Sequence, residues 1–243
     1  MRQLVRREQD EIGLHIHWSR PATDKSLSYQ TGDVGWINAQ LDHGVRQLHA
    51  LGARPRAFRS GALLHVGELP RLLGEKGFLV DSSTLWGRAN RLHPDRTRLE
   101  EKTFVARCGT LLRRAFGTMP DPYFVDENDV ERRGTSAVVE FPIAYSLFDA
   151  RTLAQGSFSR YLRYKALLAG GTRYLTLFFH IDELTRTSSG PDRKAEPDAP
   201  TVQHFRNRLA RLQNDGAEFL TCSAARDHWL RGGKNAAQEP RAE

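Results

Sequence analysis

Two histidines two positions apart, His15 and His17, stand near the end of the segment Glu11-Ile12-Gly13-Leu14-His15-Ile16-His17-Trp18. In an extended chain, residues two apart face the same way. The spacing therefore predicts two imidazoles side by side where a short buried strand opens onto a pocket. Paired imidazole nitrogens suit a divalent metal, with its other ligands drawn from elsewhere in the chain. Three further features fall at the ends of segments that read as strands. They are Arg59 in Phe58-Arg59-Ser60-Gly61, Asp81 in Asp81-Ser82-Ser83, and His180 in Phe179-His180-Ile181-Asp182. In parallel α/β folds that edge of the sheet binds ligands and carries catalysis. Singly, each has an ordinary structural explanation, such as a surface arginine or an Asp-Ser-Ser turn or cap. Their shared position is the argument.

The elements that would position these residues alternate. Residues 38–51 carry Leu41, Val45, Leu48 and Leu51 at helical spacing, with Asn38 suited to cap the start and Gly52 to end it. Residues 55–59 read as extended, 63–75 as a second helix ended by Gly77, and 78–81 as another strand. Residues 137–141 and 172–180 are further predicted strands, the latter giving the strongest strand signal in the chain. Residues 158–168 and 201–212 read as helices, the second amphipathic through Val202, Phe205, Leu209 and Leu212. A last strand is expected over 217–220, then a short helix capped by Ser223 and containing Trp229. Residues 84–136 form an irregular insertion in which Asp121-Pro122-Tyr123 and Arg132-Arg133-Gly134-Thr135 read as turns. Residues 186–200 read as an exposed loop and 231–243 as a disordered tail. The alternation predicts an α/β fold with a largely parallel sheet, open or barrel-like.

Bulk properties narrow the function classes. The chain has 243 residues and a formal charge of +7, from 36 Lys+Arg against 29 Asp+Glu. The arginines are interleaved with acids, as in residues 91–101, and no basic run or nucleic-acid signature stands out. A nucleic-acid partner is therefore not expected. No apolar run approaches the roughly 18–20 residues of a membrane helix, and residues 1–10 lack the apolar core of a signal peptide. The expected location is cytoplasmic. Two lone cysteines, Cys108 and Cys222, do not form a disulfide framework, and Cys222 reads as a small core residue.

In order along the chain, these motifs resemble the polysaccharide deacetylases with the NodB homology domain (carbohydrate esterase family 4). The matching pieces are residues 11–18, Ala57-Phe58-Arg59-Ser60-Gly61, the segment 72–83, Phe178-Phe179-His180-Ile181-Asp182-Glu183-Leu184, and the final 205–229. The resemblance implies one deacetylase-like domain over 1–230, a distorted (β/α) barrel. It also implies removal of N-acetyl or O-acetyl groups from a carbohydrate, in surface polysaccharide or lipopolysaccharide metabolism. In such enzymes an Asp and two His hold a divalent metal, usually zinc, which polarises the acyl carbonyl. Carried over, His15 and His17 are the metal ligands, Arg59 orients the base, and His180 is the general acid. Asp81 is assigned loosely as a catalytic partner of a charged site residue. Trp18, Phe58 and Trp86 are candidates for stacking on a sugar, with a core or rim role the competing explanation.

Two departures bear on activity. The commonest form of the family's motif spaces its histidines four apart, whereas position 19 here is Ser19; the His-x-His form looks like a separate branch. The family also opens on a strand ending in an Asp pair that supplies a metal ligand and the base, and residues 1–10 do not read as that strand. The expectation is an N-terminally incomplete domain with impaired metal binding and turnover. The alternative is a non-catalytic relative that binds glycan or a partner chain. The same amidohydrolase chemistry on a non-sugar amide is a further variant.

Overall fold

Helix α1 (Val34–Ala50) begins where Asp33 accepts the Trp36 amide at 2.9 Å. Its Ile37, Leu41, Val45 and Leu48 recur at helical spacing and meet the core. Gly52, at φ +84, turns the chain out of the helix. The stripe covers strand β1 (Leu14–Ile16). Gly44 makes this close approach possible, because a Cβ there would stand 2.7 Å from Leu14 Cδ1. In the computed structural model the described residues are 10–21, 27–29, 32–84, 121–143, 174–177, 184–187 and 195–232.

The chain divides into two compact units, residues 1–142 with 220–243, and residues 143–219. In the first, β2 (Ser19–Pro21) and β3 (Leu27–Tyr29) form a small antiparallel ribbon. The chain then runs through α1 to β4 (Ala57–Ser60), a 3-10 turn (Gly61–Leu63), α2 (Leu69–Glu75) and β5 (Val80–Asp81). A hairpin follows, β6 (Tyr123–Asp126) with β7 (Asp129–Arg133), and then β8 (Val139–Glu140). The six-stranded mixed sheet has the order β1-β4-β5-β8-β6-β7. The first four strands are parallel, and β6 joins β8 and β7 antiparallel. Helix α1 connects β1 to β4 and α2 connects β4 to β5, as parallel pairing requires a crossover. The core of this unit joins Leu14, Trp18, Ile37 and Phe58 to Leu69, Leu73 and Phe78 and to Val125 and Val130 of the hairpin. The unit also contains α4 (Cys222–Arg231).

The second unit contains a parallel bridge between Ile143 and Thr176, the ribbon β9 (Thr185–Thr187) with β10 (Ala195–Pro197), and α3 (Ala199–Asn214) with Phe205 buried.

The mixed α/β architecture agrees with expectation, and several local assignments change. The turns expected at 121–123 and 132–135 run into strands, with Tyr123 opening β6 and Arg132 and Arg133 closing β7, and the two strands bury Tyr123, Val125 and Val130 on alternate positions. Residues 186–200 hold β9, β10 and the start of α3 instead of a continuous loop. Residues 217–220 are not a strand; exposed Phe219 and Leu220 find no ladder there. The cap of α4 is Thr221, and Ser223 instead donates its N–H and hydroxyl to the Glu11 carboxylate, at 2.9 and 2.6 Å. An acidic side chain at a helix N-terminus is favourable. The expected helix over 158–168, most of the strand over 172–180 and nearly all of the tail lie outside the described residues. Among the described residues no helix is long and apolar enough to cross a membrane.

Candidate metal-binding edge and its buried carboxyl pair

The parallel strands end in two rows of side chains. His15 of β1 pairs in register with Arg59 of β4. Phe58 pairs with Asp81 of β5, Asp81 with Glu140 of β8, and Glu140 with Tyr123 of β6. In-register neighbours share a face and successive residues alternate. His15 and Arg59 therefore stand on one face, while Phe58, Asp81, Glu140 and Tyr123 form a row on the other. His15, Arg59 and Asp81 do meet at the carboxyl ends of adjacent strands, but the alternation separates the imidazoles from the carboxyls.

Both imidazoles are exposed, with ring centres 4.9 Å apart and planes nearly perpendicular. His15 Nδ1 lies 2.9 Å from the Arg59 carbonyl oxygen. A carbonyl only accepts, so Nδ1 carries a proton. His17 packs against Gly61, where a Cβ would come within 2.5 Å of the ring Cγ. For two imidazoles on one tetrahedral zinc, bonds of about 2.0–2.1 Å put the ring centres roughly 5 Å apart. The observed separation of the rings equals that spacing. Among the described residues no carboxylate joins it to make a three-ligand set.

Arg59 is anchored to Ser82, with Nε donating to the Ser82 carbonyl at 3.1 Å and Nη2 to Ser82 Oγ at 3.3 Å. Burial pulls its pKa down, opposed by the nearby Cys222, Glu140 and Asp81. It stays charged, since arginine is not deprotonated in proteins. The Cys222 thiol is pushed up by burial and by Glu11, which keeps it a protonated thiol and a poor nucleophile.

Beneath the edge lies a closed polar layer. Asp81, Ser82, Ser83, Thr84 and Glu140 are all buried. Ser83 Oγ donates to Asp81 Oδ1 and accepts the Ser60 amide at 2.9 Å. Glu140 Oε1 accepts from Thr84 N and Oγ1 at 2.9 and 2.7 Å. Asp81 Oδ2 is buried with no hydrogen-bond partner among the described residues. Burial first, offset by hydrogen bonds and Arg59, pushes the Asp81 carboxyl up to about 7. Burial and then the Asp81 charge push Glu140 up as well. Two neighbouring buried carboxyls do not both ionise cheaply, so burial and mutual repulsion favour the protonated form of the pair. Tyr123 is also raised, by burial and by Glu140, and its hydroxyl donates to the Val130 carbonyl at 2.8 Å.

The structure decides between the two explanations offered for Trp18 and Phe58. Trp18 and Phe58 are core residues, 0% and 2% exposed, with ring centres 6.0 Å apart. Trp18 donates its indole N–H to Ser60 Oγ at 2.6 Å. Neither ring has a face to offer a sugar. Asp81 is likewise closed to solvent, at 0% exposed. Trp86 and His180 lie outside the described residues.

Two features escaped sequence analysis. Glu140 was visible as a lone charge inside an apolar, β-branched strand. His65, Asp129 and Glu131 form a group that could hold a metal ion, with one ligand atom from each lying within 4.8 Å of the others. The only sequence trace of it is the alternate spacing of the two acids. The chain matches no protein-family model, no curated protein and no solved structure.

Proposed function

We propose that the chain is a metal-dependent hydrolase that removes acetyl groups from a carbohydrate, built on a distorted (β/α) barrel of the deacetylase type and serving surface polysaccharide metabolism. The observation that carries this reading is the His15/His17 pair, with the Nδ1 proton of His15 fixed by the Arg59 carbonyl. A backbone carbonyl on the non-ligating nitrogen is the usual outer support of a metal-binding imidazole. A divalent ion, zinc by the resemblance, supplies Lewis-acid polarisation of the acyl carbonyl when bound.

The chain's own residues divide the remaining work. Ser82 fixes the Arg59 guanidinium, so its charge stands at the strand ends to stabilise a polarised acyl oxygen. Asp81 and Glu140 supply the counter-charge beneath it. His180, by the resemblance, protonates the leaving amine. A second reading is a non-catalytic glycan-binding relative, favoured by the lack of a carboxylate beside the imidazoles among the described residues.

Acetate release from N-acetylated oligosaccharides by the zinc-supplemented full chain tests the enzyme reading. Release should stop with a chelator and fall about 10³-fold or more in His15→Ala and His17→Ala. Zinc and glycan binding without acetate release would favour the second reading. Absence of both zinc binding and acetate release would end the first.

A further inference from the structure

The His65, Asp129 and Glu131 group sits where two parts of the first unit are tied together. Asp129 and Glu131 are two apart on β7 and share one face, while Val130 between them points into the core. His65 follows the 3-10 turn on the way into α2, which packs on β7. The Arg71 amide of α2 already donates to the Glu127 carbonyl, at 3.2 Å, in the turn of the β6–β7 hairpin.

The geometry inside the group has the dimensions of a coordination site. His65 Nδ1 is 3.7 Å from Asp129 Oδ1, with the two side chains 16% and 27% exposed. That separation exceeds hydrogen-bond length. It lies close to the roughly 3.4 Å between two ligands of a tetrahedral ion with bonds of about 2.0–2.1 Å. The Glu131 amide donates to Asp129 Oδ1 at 2.9 Å and orients that carboxylate from outside. One imidazole nitrogen and two carboxylates suit Zn²⁺, Mn²⁺ or Fe²⁺ better than Ca²⁺ or Mg²⁺, which favour all-oxygen sets.

We propose that His65, Asp129 and Glu131 bind a divalent transition-metal ion that clips the entry of α2 to the β6–β7 hairpin, a site separate from the His15/His17 pair. An ion held only in the folded state stabilises it in proportion to its occupancy. The three ligands come from two segments far apart in sequence, so the ion cross-links them.

Chelator-stripped full chain titrated with Zn²⁺ alone, followed by metal stoichiometry and thermal unfolding, tests the site. The double variant His15→Ala/His17→Ala should still bind one zinc per chain. Its Tm should rise about 5–10 °C when free zinc is 100-fold above Kd. Adding His65→Ala should weaken that site at least tenfold and remove the shift. Glu131→Gln, which keeps side-chain size, should do the same and decides the matter if His65→Ala does not fold. The proposal is overturned if the double variant binds no zinc, if Glu131→Gln retains full affinity and shift, or if Mg²⁺ and Ca²⁺ bind equally well. Loss of zinc from the His15/His17 variants at one site only would leave this site standing, so the two metal readings fail separately.

Discussion

Folding stability should rise as pH falls from about 8 to about 5, and Glu140→Gln should lessen that slope, leaving the part that burial of Asp81 supplies, while stabilising the protein at pH 8. Asp81 titrates near its ordinary 3.8 when unfolded and is pushed up to about 7 when folded, chiefly by burial; Glu140 moves the same way. The folded state therefore binds the proton more tightly. The stabilisation is fully present below the unfolded pKa and is lost as pH rises through about 7. At about 1.4 kcal/mol per unit, the effect is of order 4 kcal/mol as an upper bound.

The glutamine introduced by Glu140→Gln would keep the oxygen that accepts from Thr84 N and Oγ1 and would remove a buried ionisable group. Glu140→Ala has no such compensation and should destabilise by about 1–3 kcal/mol for each stranded donor. Urea unfolding at several pH values measures both. Parallel pH profiles for wild type and Glu140→Gln would show that Glu140 takes no part in the proton uptake, and a flat wild-type profile that neither carboxyl does.

Trp18→Ala should cost about 3–5 kcal/mol, the usual range for emptying a fully buried aromatic site. Trp18 packs between Trp36 and Phe58, with ring centres 6.5 and 6.0 Å away, and its N–H bond to Ser60 would be lost too. Trp18→Phe should cost less, mainly the hydrogen bond and part of the packing. A sugar-stacking residue would behave in the opposite way, raising KM with little change in Tm. Thermal unfolding of the two variants separates the roles, and an unchanged Tm in Trp18→Ala would refute the core assignment.

Legibility of this chain in its sequence followed locality. Helix α1, strand β4 and the carboxyl ends of β1 and β5 were readable because their apolar spacing and caps are local signals. Even so, α1 starts earlier than Asn38 suggested, since Asp33 caps it and Ile37 continues the buried stripe. The β6–β7 hairpin was hidden because its polar, turn-rich ends mask alternation at Tyr123, Val125 and Val130. Ser223 looked like a helix cap because nothing local points to Glu11 as its partner.

At the site, the His15/His17 spacing and the nearness of Arg59 were legible. The split into two rows was not, because it depends on register between strands. The Asp81–Glu140 pair and the His65, Asp129, Glu131 group arise only when distant segments pack. Trp18 and Phe58 were left open between sugar and core, since aromatics beside a site look alike in sequence whether they face ligand or core.

The most direct test of the metal edge is anomalous diffraction at the zinc absorption edge from crystals grown with zinc. A peak bonded to both His15 and His17, about 2.0–2.1 Å from a ring nitrogen of each, is the expected result. Zinc density confined to other positions, the His65 group included, with His15 and His17 left unligated, would contradict it.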